Sequence, residues 1–493
     1  MHVDLEAIAR ALDEAGLLVE RRGSAPAFVA GVTDDSREVR AGSLFVAVRG
    51  TDRDGHDFLA AAERAGAAAA IVQDASRTDL PVLVVADARL AAVIAASVAY
   101  RFPARQLRIV GVTGTNGKTT TVNMLRHLLD DDAERSASIG TLGVLVGSAG
   151  TPLDGGYGLT TPGTVELQRV LRALVDDGVR SVAMEVSSHA LDQHRVAGLS
   201  FDAAVFTNLT RDHLDYHGTM ERYFAAKAKL VNLVAATGTV VVNMDDPVWQ
   251  WLPRDRGRFI GFSERSIADV CARDVRFGPR GSAWTLAIGA ESAAVQLPLI
   301  GDFNVTNALG AAAAAHALGM RTPRIAHRLS TMPQVPGRLE VLRDAPTVLR
   351  DYAHTPDALD RALDAVRPFA SERLIVVFGC GGDRDRGKRP QMGAIAEANA
   401  DIAIVTSDNP RTEDPEAIID DIEHGMTRSN HERIGDRRVA IARALELARP
   451  ADVIVLAGKG HETYQIRGTT KYPFDEKIIV RELSSASVDA SRR

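Results

Sequence analysis

A glycine-rich turn between a strand pattern and a helix pattern most limits what this chain can fold into. The β-forming run 109–112 leads into Gly114-Thr-Asn-Gly-Lys-Thr-Thr120, and apolar residues at helical spacing follow from Val122. Small residues let backbone N–H groups approach phosphate oxygens closely, and the helix N-terminus adds a favourable dipole. The segment therefore predicts a phosphate-binding loop between a buried strand and a helix.

Two side chains at the end of this turn have the chemistry that a nucleotide site needs. Lys118 offers a positive charge to the β- and γ-phosphates, and the Thr119 hydroxyl can ligate Mg²⁺. The spacing departs from the strict Walker pattern, which expects a glycine at position 112 rather than at 111 and 114. A chance glycine-rich turn is the alternative. The predicted ATP-binding residues of the turn are Gly114, Thr115, Asn116, Gly117, Lys118, Thr119 and Thr120.

Composition and charge argue against several classes of protein. The chain has 493 residues, enough for about two to four domains. Its formal charge of −6 gives no electrostatic reason to expect nucleic acid or an anionic membrane as a partner. Two cysteines, Cys271 and Cys380, cannot form a disulfide framework, and no apolar run reaches membrane-spanning length. The N-terminus lacks the layout of a signal peptide, so we expect a soluble cytoplasmic protein.

The order of strand and helix patterns predicts an α/β protein with three domains. Residues 1–103 form a small α/β domain without catalytic residues of its own. Residues 104–335 alternate buried strands with helices, which favours a parallel sheet, and the alternation restarts in a Rossmann-like domain at 336–493. The predicted strands of these two domains are 109–113, 181–186, 203–207, 240–244, 347–350, 374–378, 402–406 and 453–457. Ligands of such sheets collect at the carboxyl ends of strands.

Two polar side chains follow central strands. Glu185 and His213 are candidates for binding Mg²⁺ beside ATP, because a hard cation prefers carboxylate and phosphate oxygens. The alternatives are a solvated loop carboxylate and a hydrogen-bonded core histidine. The pair His213 and His217 has the spacing of two zinc ligands, but no third soft ligand is suitably spaced.

Two lysines, Lys227 and Lys229, lie in a segment with a helical pattern. The simplest interpretation is a solvated helix face. A more specific hypothesis is a buried lysine, whose depressed pKa would leave it neutral and able to react with CO₂. The resulting carbamate anion would then complement Mg²⁺.

Three polar turns follow strands of the last domain. The segment 378–390 combines glycines with four Arg/Lys side chains, which suits phosphate or carboxylate binding. Asp408-Asn-Pro-Arg411 places a guanidinium after a turn, and Gly458-Lys-Gly-His-Glu462 places a carboxylate after another strand. Together these groups could hold a zwitterionic amino acid; three unrelated surface turns are the alternative.

Taken in order along the chain, these motifs resemble the Mur ligase family over nearly the whole sequence. Each motif alone is weak, but the ordered set is highly specific. The motifs are Gly114-Thr-Asn-Gly-Lys-Thr-Thr120, Glu185-Val-Ser-Ser-His189, Asn208-Leu-Thr-Arg-Asp-His213, Gly301-Asp-Phe-Asn-Val-Thr-Asn307, Pro336-Gly-Arg-Leu-Glu340, Asp351-Tyr-Ala-His354 and Asp408-Asn-Pro-Arg411.

The resemblance implies a three-domain α/β ligase that forms an amide bond using ATP and Mg²⁺. The N-terminal domain would bind UDP, the central phosphate-loop domain ATP, and the last domain an amino acid. The resemblance further implies that meso-diaminopimelate is added to UDP-N-acetylmuramoyl-L-alanyl-D-glutamate through an acyl phosphate, in peptidoglycan precursor synthesis. The partners would be small-molecule substrates, with no nucleic acid and no membrane, and the chain would act as a monomer in the cytoplasm.

The resemblance also assigns roles to individual residues. The catalytic set is Lys118, Glu185, His213 and Lys227, and the metal ligands are Thr119, Glu185, His213 and Lys227 as its carbamate. Further ATP contacts are Asn304, Arg338 and His354. The UDP-substrate contacts are Asp34, Ser36, Thr51, Asp52, Arg53, Thr160, Thr161, Ser187, Gln193 and Arg195. The amino-acid contacts are Arg384, Asp408, Asn409, Pro410, Arg411, Gly458 and Glu462. One departure is Leu159, which replaces an asparagine that some members use on the substrate.

Other functions stay open at this point. A lysine-adding ligase of the same family would share every feature except the pocket for the extra carboxylate. A folylpolyglutamate synthetase-like ligase would share the fold and chemistry but would give no reason for a uridine-type N-terminal domain. A phosphate-loop GTPase or motor is a further class, although the sequence has no Asn-Lys-x-Asp guanine signature.

Overall fold

The structure is a computed structural model that describes residues 2–50, 53–156, 158–428 and 430–491, with side chains up to residue 485. The chain divides into two compact units. The first comprises Met1–Cys271, Ile288–Glu291 and Asn307–Ile325, and the second comprises Ala272–Ala287, Ser292–Thr306 and Ala326–Arg493. The predicted domain boundaries near residues 103 and 335 stay a prediction.

The first unit begins with a five-stranded sheet and its helices. Across the sheet the strands are Leu18–Arg22, Val82–Val85, Ala69–Val72, Ser43–Val46 and Gly31–Thr33. The first strand is antiparallel to its neighbour and the others are parallel. Asp4 caps helix Leu5–Glu14 by accepting hydrogen bonds from two backbone N–H groups, and the apolar face of this helix is buried. The remaining elements are strands Val3–Asp4 and Phe28–Val29 and helices Leu59–Arg64 and Ala88–Ala99.

A second sheet of the first unit carries the glycine-rich turn. Eight of its strands lie wholly in the first unit and are, in order, Thr151–Leu153, Gly143–Val146, Arg135–Gly140, Val179–Glu185, Arg108–Thr113, Phe201–Phe206, Val234–Asn243 and Arg258–Ser263. The last six are mutually parallel, which confirms the predicted parallel sheet, while the first two form an antiparallel edge that the sequence pattern did not reveal. Glu185 pairs with Val112, and Phe206 pairs with Thr113, so three strands end at one edge of the sheet.

Helices cover both faces of this sheet. Helix Lys118–Leu129 follows the glycine-rich turn directly, and its apolar and polar residues are almost all buried because it lies between the sheet and other chain segments. The other helices of this region are Thr164–Asp176, Ser188–Asp192, Leu214–His217 and Met220–Ala228, with short 3₁₀ turns at Lys229–Leu233 and Pro247–Trp251.

The second unit contains a doubly wound α/β fold. Its six strands are, in order, Glu340–Asp344, Thr347–Asp351, Val453–Ala457, Leu374–Phe378, Ile402–Val405 and His431–Arg433. All neighbouring pairs but the first are parallel, and separate apolar cores lie on the two faces of the sheet. Its other elements are helices Pro356–Val366, Lys388–Asn399, Pro415–Glu423, Arg437–Leu447 and Glu476–Ser491 and the hairpin Tyr464–Arg467 with Thr470–Pro473.

Five further elements contribute residues to both units. They are strands Val270–Gly278, Gly281–Ile288 and Glu291–Leu297 and helices Phe303–Ala317 and Thr322–Ser330. Among the described helices, none combines the length and the apolar character that crossing a lipid bilayer requires.

Candidate active site

The glycine-rich turn needs glycine at two positions. Gly114 and Gly117 both have positive φ angles, +146° and +86°, which residues with a Cβ atom rarely adopt. A Cβ atom at Gly114 would also overlap the Thr207 hydroxyl, and one at Gly117 would overlap the Asn307 side chain. The turn is therefore packed against its neighbours and shaped by them.

The segment that follows the adjacent strand holds this turn in place. The Thr207 hydroxyl donates a 2.7 Å hydrogen bond to the carbonyl of Asn116, and the Asn208 side-chain oxygen accepts one of 2.9 Å from the Asn116 N–H. The backbone N–H of Thr115 donates to the Asn208 carbonyl. The sequence analysis gave Thr207 and Asn208 no role, although they begin the motif that ends at His213.

Lys118 lies across the turn. Its ammonium donates hydrogen bonds to the carbonyl oxygens of Gly114 and Thr115, at 2.9 and 2.8 Å. Thr119 and Thr120 are buried in the first turn of helix Lys118–Leu129. The positive charge, the hydroxyls and the helix N-terminus thus occur together at one edge of the sheet, an arrangement suited to phosphate.

Lys227 is fully buried against the same turn, so the interpretation of a solvated helix face is wrong for this residue. Its amine donates a 2.7 Å hydrogen bond to the Gly114 carbonyl and lies 4.5 Å from the centre of the Tyr223 ring. Burial, with a further contribution from nearby Lys118, lowers the Lys227 pKa well below its usual value. Lys229, in contrast, is partly exposed and forms an ion pair with Asp192.

Tyr223 lies between Lys227 and the glycine-rich turn. Its hydroxyl makes a 3.2 Å hydrogen bond with the Thr115 hydroxyl, and burial raises the Tyr223 pKa. Tyr223 received no role in the sequence analysis, although it begins the segment that contains both lysines.

Glu185 is buried at the end of strand Val179–Glu185 and is not a solvated loop carboxylate. Its two carboxylate oxygens accept hydrogen bonds from the backbone N–H and the hydroxyl of Thr141, at 2.8 and 3.2 Å. A Cβ atom at Gly140 would overlap this carboxylate. Strand Arg135–Gly140 and the residue after it therefore fix Glu185, and sequence reasoning missed Thr141.

His213 lies in a cluster of imidazole and phenol rings. The His213 ring meets the His189 ring edge to face at 4.7 Å, and His189 also contacts Tyr216 and His217. The His213 side chain is 46% exposed, but partial desolvation by the surrounding protein still lowers its pKa. Burial, followed by the charges of His213 and His217, lowers the pKa of His189 to about 4. These imidazoles are consequently neutral near pH 7 and able to accept a hydrogen bond or ligate a cation.

The metal-binding potential of this region rests on mixed ligands. Within the described ranges, no group of three or more His, Cys, Asp or Glu side chains is arranged to hold a metal ion. Thr119, Glu185 and His213 offer a hydroxyl, a carboxylate and an imidazole beside the phosphate-binding turn. Mg²⁺ at such a site would take its other ligands from phosphate oxygens, water or a modified lysine.

Several predicted contacts of the UDP substrate form one connected network. The Arg195 guanidinium donates to the Gln193 side-chain oxygen at 2.6 Å and to the Thr161 carbonyl at 3.1 Å. The Thr161 hydroxyl contacts the Ser187 hydroxyl at 3.3 Å and donates to the Glu185 carbonyl at 2.9 Å. Residues that are 34 positions apart in sequence are thus brought together beside Glu185.

One further member of that predicted set lies beside the network. The Thr160 hydroxyl is 3.5 Å from the Thr141 hydroxyl that binds Glu185. Leu159 is largely exposed. Arg89, which sequence reasoning missed, donates to the carbonyl of Arg49 at 2.5 Å and to that of Gln193 at 3.5 Å. Arg89 thereby connects the loop after the N-terminal sheet to the network.

The N-terminal candidates are only partly described. Asp34 is accessible to solvent but surrounded by protein on several sides, and this partial desolvation, with the nearby charges of Asp35 and Glu38, raises its pKa to about 6. Ser36 is half-buried and Arg53 is exposed. The predicted contacts Thr51 and Asp52 lie outside the described residues.

The three remaining ATP candidates belong to the second unit. The Arg338 guanidinium lies 4.7 Å from the centre of the Tyr352 ring. The His354 ring contacts the same tyrosine twice, through its ring and through its backbone carbonyl. Asn304 is buried in the first turn of helix Phe303–Ala317 and donates to the Ile300 carbonyl. Tyr352 thus joins Arg338 and His354, which are 16 residues apart, at the end of one strand.

The second unit brings its predicted amino-acid contacts together. The Asn409 side-chain amide donates a 2.8 Å hydrogen bond to Glu462, and a Cβ atom at Gly458 would meet the buried Asp408 carboxylate. The Arg411 guanidinium donates to the Gly382 carbonyl at 2.7 Å, so the first predicted polar turn contacts the second. The alternative of three unrelated turns is therefore wrong.

Backbone geometry fixes the two arginines of this cluster. Arg411 follows Pro410 and has a φ of +53°, and its backbone N–H donates to the carbonyl of Ile466. Arg384 is exposed, and its guanidinium donates to the carbonyl of Asp383, which itself has a φ of +53°. The Asp383 carboxylate accepts hydrogen bonds from the N–H and hydroxyl of Thr412, so the two arginine-bearing loops are joined.

Comparison with known proteins agrees with this architecture. Three family models match successive regions: "Mur ligase family, catalytic domain" at 28–105, "Mur ligase middle domain" at 112–315 and "Mur ligase, glutamate ligase domain" at 337–460. A UDP-N-acetylmuramoyl-L-alanyl-D-glutamate--2,6-diaminopimelate ligase of Geobacillus kaustophilus is 44% identical over 91% of this chain and 93% of its own. The chain belongs to the Mur ligase family.

Other Mur ligases agree with this assignment. The corresponding ligase of Gloeobacter violaceus is 46% identical over 93% of this chain and 94% of its own. A solved structure of a ligase with the same name covers 100% of both chains with a TM-score of 0.69 and 34% identity. Mycobacterium tuberculosis folylpolyglutamate synthase, at 20% identity and a TM-score of 0.63 over 75% of this chain, shares the fold. The resemblance to the Mur ligase family and the predicted fold class are confirmed.

Proposed function

We propose that this Mur ligase joins meso-diaminopimelate to UDP-N-acetylmuramoyl-L-alanyl-D-glutamate, using ATP, in peptidoglycan precursor synthesis. The observation that carries this proposal is the identity of 43–46% to ligases named for this reaction, which extends over more than nine-tenths of the chain. The connected clusters around the glycine-rich turn and around Asp408 support it, because ligation needs a phosphate site and an amino-acid site.

Amide formation would proceed in two steps. A carboxylate oxygen of the UDP substrate attacks the γ-phosphorus of ATP, which gives an acyl phosphate and releases ADP. The amine of the amino acid then attacks the acyl carbon, loses a proton and expels inorganic phosphate. Lys118 and the backbone N–H groups of the turn would stabilise negative charge on the phosphate oxygens during the first step.

Thr119, Glu185 and His213 would hold Mg²⁺. Their oxygen and neutral imidazole ligands fit a divalent cation that also binds phosphate oxygens, and Glu185 is already oriented by its two bonds to Thr141. The ion would supply positive charge at the transferred phosphoryl group.

Lys227 would carry a carbamate. Its buried amine has a strongly lowered pKa, so the neutral form that can attack CO₂ is favoured. The nitrogen bonds to the carbon of CO₂ and loses a proton, which converts the neutral amine into a carbamate anion. An anion here would be stabilised by Lys118 and by a metal ion at the adjacent turn.

The remaining predicted residues would bind the substrates. Arg195 and its network, together with the N-terminal candidates around Asp34, would hold the UDP-linked dipeptide. Arg338, His354 and Asn304 would contact the nucleotide. Arg411 and Arg384 would bind carboxylates of meso-diaminopimelate, with the turn around Asp408 and Glu462 receiving its ammonium groups. A monomeric state and a cytoplasmic location stay predictions.

Phosphate release on a panel of amino acids tests the proposal. The purified protein is incubated with ATP, Mg²⁺ and UDP-N-acetylmuramoyl-L-alanyl-D-glutamate, with meso-diaminopimelate, lysine or no amino acid. We expect sustained release only with meso-diaminopimelate, and none when the UDP substrate is omitted. Equal release without any amino acid, or preference for lysine, would contradict it.

A further inference from the structure

Lys459 is a buried lysine whose ammonium lies among the predicted amino-acid contacts of the second unit. It is fully buried, with none of its surface exposed, so it cannot itself contact a bound amino acid. Its ammonium nevertheless lies 3.1 Å from the Glu462 carboxylate and 3.2 Å from the Asn409 side-chain oxygen. The Asp408 carboxylate is 3.9 Å away. One buried cation thus contacts three of the predicted amino-acid contacts.

The turn that contains Lys459 is itself held firmly. Gly458 and Gly460 have positive φ angles, and their backbone N–H groups both donate to the Asp351 carbonyl at 3.1 Å. The Lys459 carbonyl accepts a hydrogen bond from the Glu462 N–H. The centres of the Tyr464 and Phe474 rings each lie 5.9 Å from its ammonium. The ammonium position is therefore determined by the fold rather than by solvent.

The bonds to Glu462 converge on one of its two carboxylate oxygens. Asn409 and Lys459 both donate to Oε2, at 2.8 and 3.1 Å. The carboxylate is thus oriented through Oε2, and within the described part of the chain no hydrogen bond to Oε1 is formed. An ammonium group of the substrate is the chemistry that this oxygen suits.

We propose that Lys459 is a positioning residue that fixes the Glu462 carboxylate to receive the ammonium at the distal end of the incoming diamino acid. The inference rests on the proposed function and deepens it by naming the residue that sets this specificity. Without Lys459, Glu462 would lose one of the two bonds that orient it and the cation that it shares with Asp408. A misplacement of about 1 Å at such a contact can cost about a hundredfold in efficiency.

The test compares meso-diaminopimelate with 2-aminopimelate, which keeps both carboxylates but lacks the second amine. Phosphate release gives KM for meso-diaminopimelate and for ATP, and inhibition of that reaction gives Ki for 2-aminopimelate. The variants are Lys459→Met, Lys459→Gln, Glu462→Gln and the double variant Lys459→Met/Glu462→Gln. Lys471→Met is the matched control, because Lys471 lies 4.1 Å from the Tyr464 ring but is exposed.

We expect Lys459→Met to raise KM for meso-diaminopimelate by about 10- to 100-fold and to leave Ki for 2-aminopimelate and KM for ATP within about threefold of wild type. Glu462→Gln should give the same pattern, and the double variant should be no worse than either single one, because the two residues act as a unit. Lys471→Met should behave as wild type.

Three results would overturn the inference. They are a wild-type KM for meso-diaminopimelate in Lys459→Met, an equal rise in that KM and in the Ki for 2-aminopimelate, and a rise in KM in the double variant that equals the product of the two single effects. Thermal melting checks that each variant folds. If Lys459→Met is unfolded, the same comparison of KM for meso-diaminopimelate with Ki for 2-aminopimelate is made on Lys459→Gln, since glutamine keeps a hydrogen-bond donor but not the charge. Absence of phosphate release by wild type with meso-diaminopimelate would instead refute the proposed function, so the two failures are distinguishable.

Discussion

The amine of Lys227 and the ammonium of Lys118 both donate hydrogen bonds to the carbonyl oxygen of Gly114, at 2.7 and 2.9 Å. Two cations this close repel each other, and only Lys227 is fully buried. Lys227, whose pKa is lowered, therefore lies beside Lys118, the lysine that we assign to the phosphate groups. This pairing gives the two lysines opposite chemical roles in the predictions below.

Replacing Lys227 by alanine should abolish nearly all ligase activity, because the buried carbamate would be lost. Short-chain carboxylates such as acetate should restore part of the activity by supplying an anion in the vacated space. Phosphate release with and without added acetate measures both effects. Lys229→Ala is the matched control, and we expect a mild effect because its ion pair with Asp192 is partly exposed. The reverse ranking of the two lysines would show that the carbamate is assigned to the wrong one.

Carbamate formation on Lys227 should depend on pH in a defined direction. CO₂ reacts only with the neutral amine, and the lowered pKa of Lys227 keeps that form populated at pH values where an ordinary lysine is protonated. Carbamate should therefore be present at neutral and alkaline pH and should decrease as acid protonates the amine. A ¹³C-NMR spectrum of the protein in ¹³C-bicarbonate measures it. A signal that persists unchanged in Lys227→Ala would exclude this residue as its source.

Replacing Lys118 by alanine should reduce phosphate release by about a thousandfold or more, since one charge that stabilises the transferred phosphoryl group is removed. The fold should persist, because the Lys118 ammonium bonds to backbone carbonyls of the glycine-rich turn and does not pack in the apolar core. Circular dichroism and a melting curve serve as the folding check. Turnover like that of wild type would reject the nucleotide assignment of this turn.

Replacing Arg411 by alanine should narrow the preference for meso-diaminopimelate over lysine. Lysine lacks the distal carboxylate, so a guanidinium aimed at that group should favour meso-diaminopimelate by about a thousandfold or more in wild type. Steady-state kinetics with both amino acids, in wild type and variant, gives the ratio of kcat/KM. Arg361→Ala, an exposed arginine of helix Pro356–Val366, is the control. An unchanged ratio in Arg411→Ala would remove the specificity argument while leaving the ligase proposal intact.

Glu413 should contribute pH-dependent stability to the second unit. Hydrogen bonds from Arg389 and from the Asp383 N–H lower its pKa to about 2, from an ordinary value of 4.5. A carboxylate with a depressed pKa stabilises the folded state above its unfolded pKa, and this contribution is lost as the pH falls from about 4.5 through 2. Glu413→Gln should therefore lower the free energy of unfolding by about 2 to 3 kcal/mol at pH 7.

Urea denaturation at several pH values tests the Glu413 prediction. The difference between wild type and Glu413→Gln should shrink steadily below about pH 4.5. Glu446→Gln is the control, because Glu446 is highly exposed and pairs with Arg443 at the surface. A difference that stays constant down to pH 2 would show that the effect does not come from ionisation of Glu413.

Much of the fold could be predicted from local sequence patterns. The strand, turn and helix around Gly114 and the strands 374–378 and 453–457 have the bounds expected or nearly so. Each depends on apolar spacing and turn residues within about a dozen positions. The antiparallel strands Gly143–Val146 and Thr151–Leu153 were missed, because short edge strands bury few side chains and leave a weak pattern.

The candidate site shows where local patterns stop being informative. Lys227 and Lys229 lie two positions apart in one helical segment, and its apolar spacing does not distinguish them; only the family resemblance, in which the lysine follows Ala225-Ala226, favours Lys227. The distinction comes from packing against Gly114, which is 113 residues away in sequence. Lys459 lies within a predicted motif, but its ammonium bonds to Asn409, which is 50 residues away in sequence.

The sequence by itself determined which chemical groups this protein has and which strand each of them follows at the edge of a sheet. Only the tertiary structure decided which of these groups lose water, which carbonyls and carboxylates they meet and which pKa values shift. The physical reason is that desolvation and charge–charge interactions depend on distances between residues far apart in the chain, whereas sequence patterns report only neighbours.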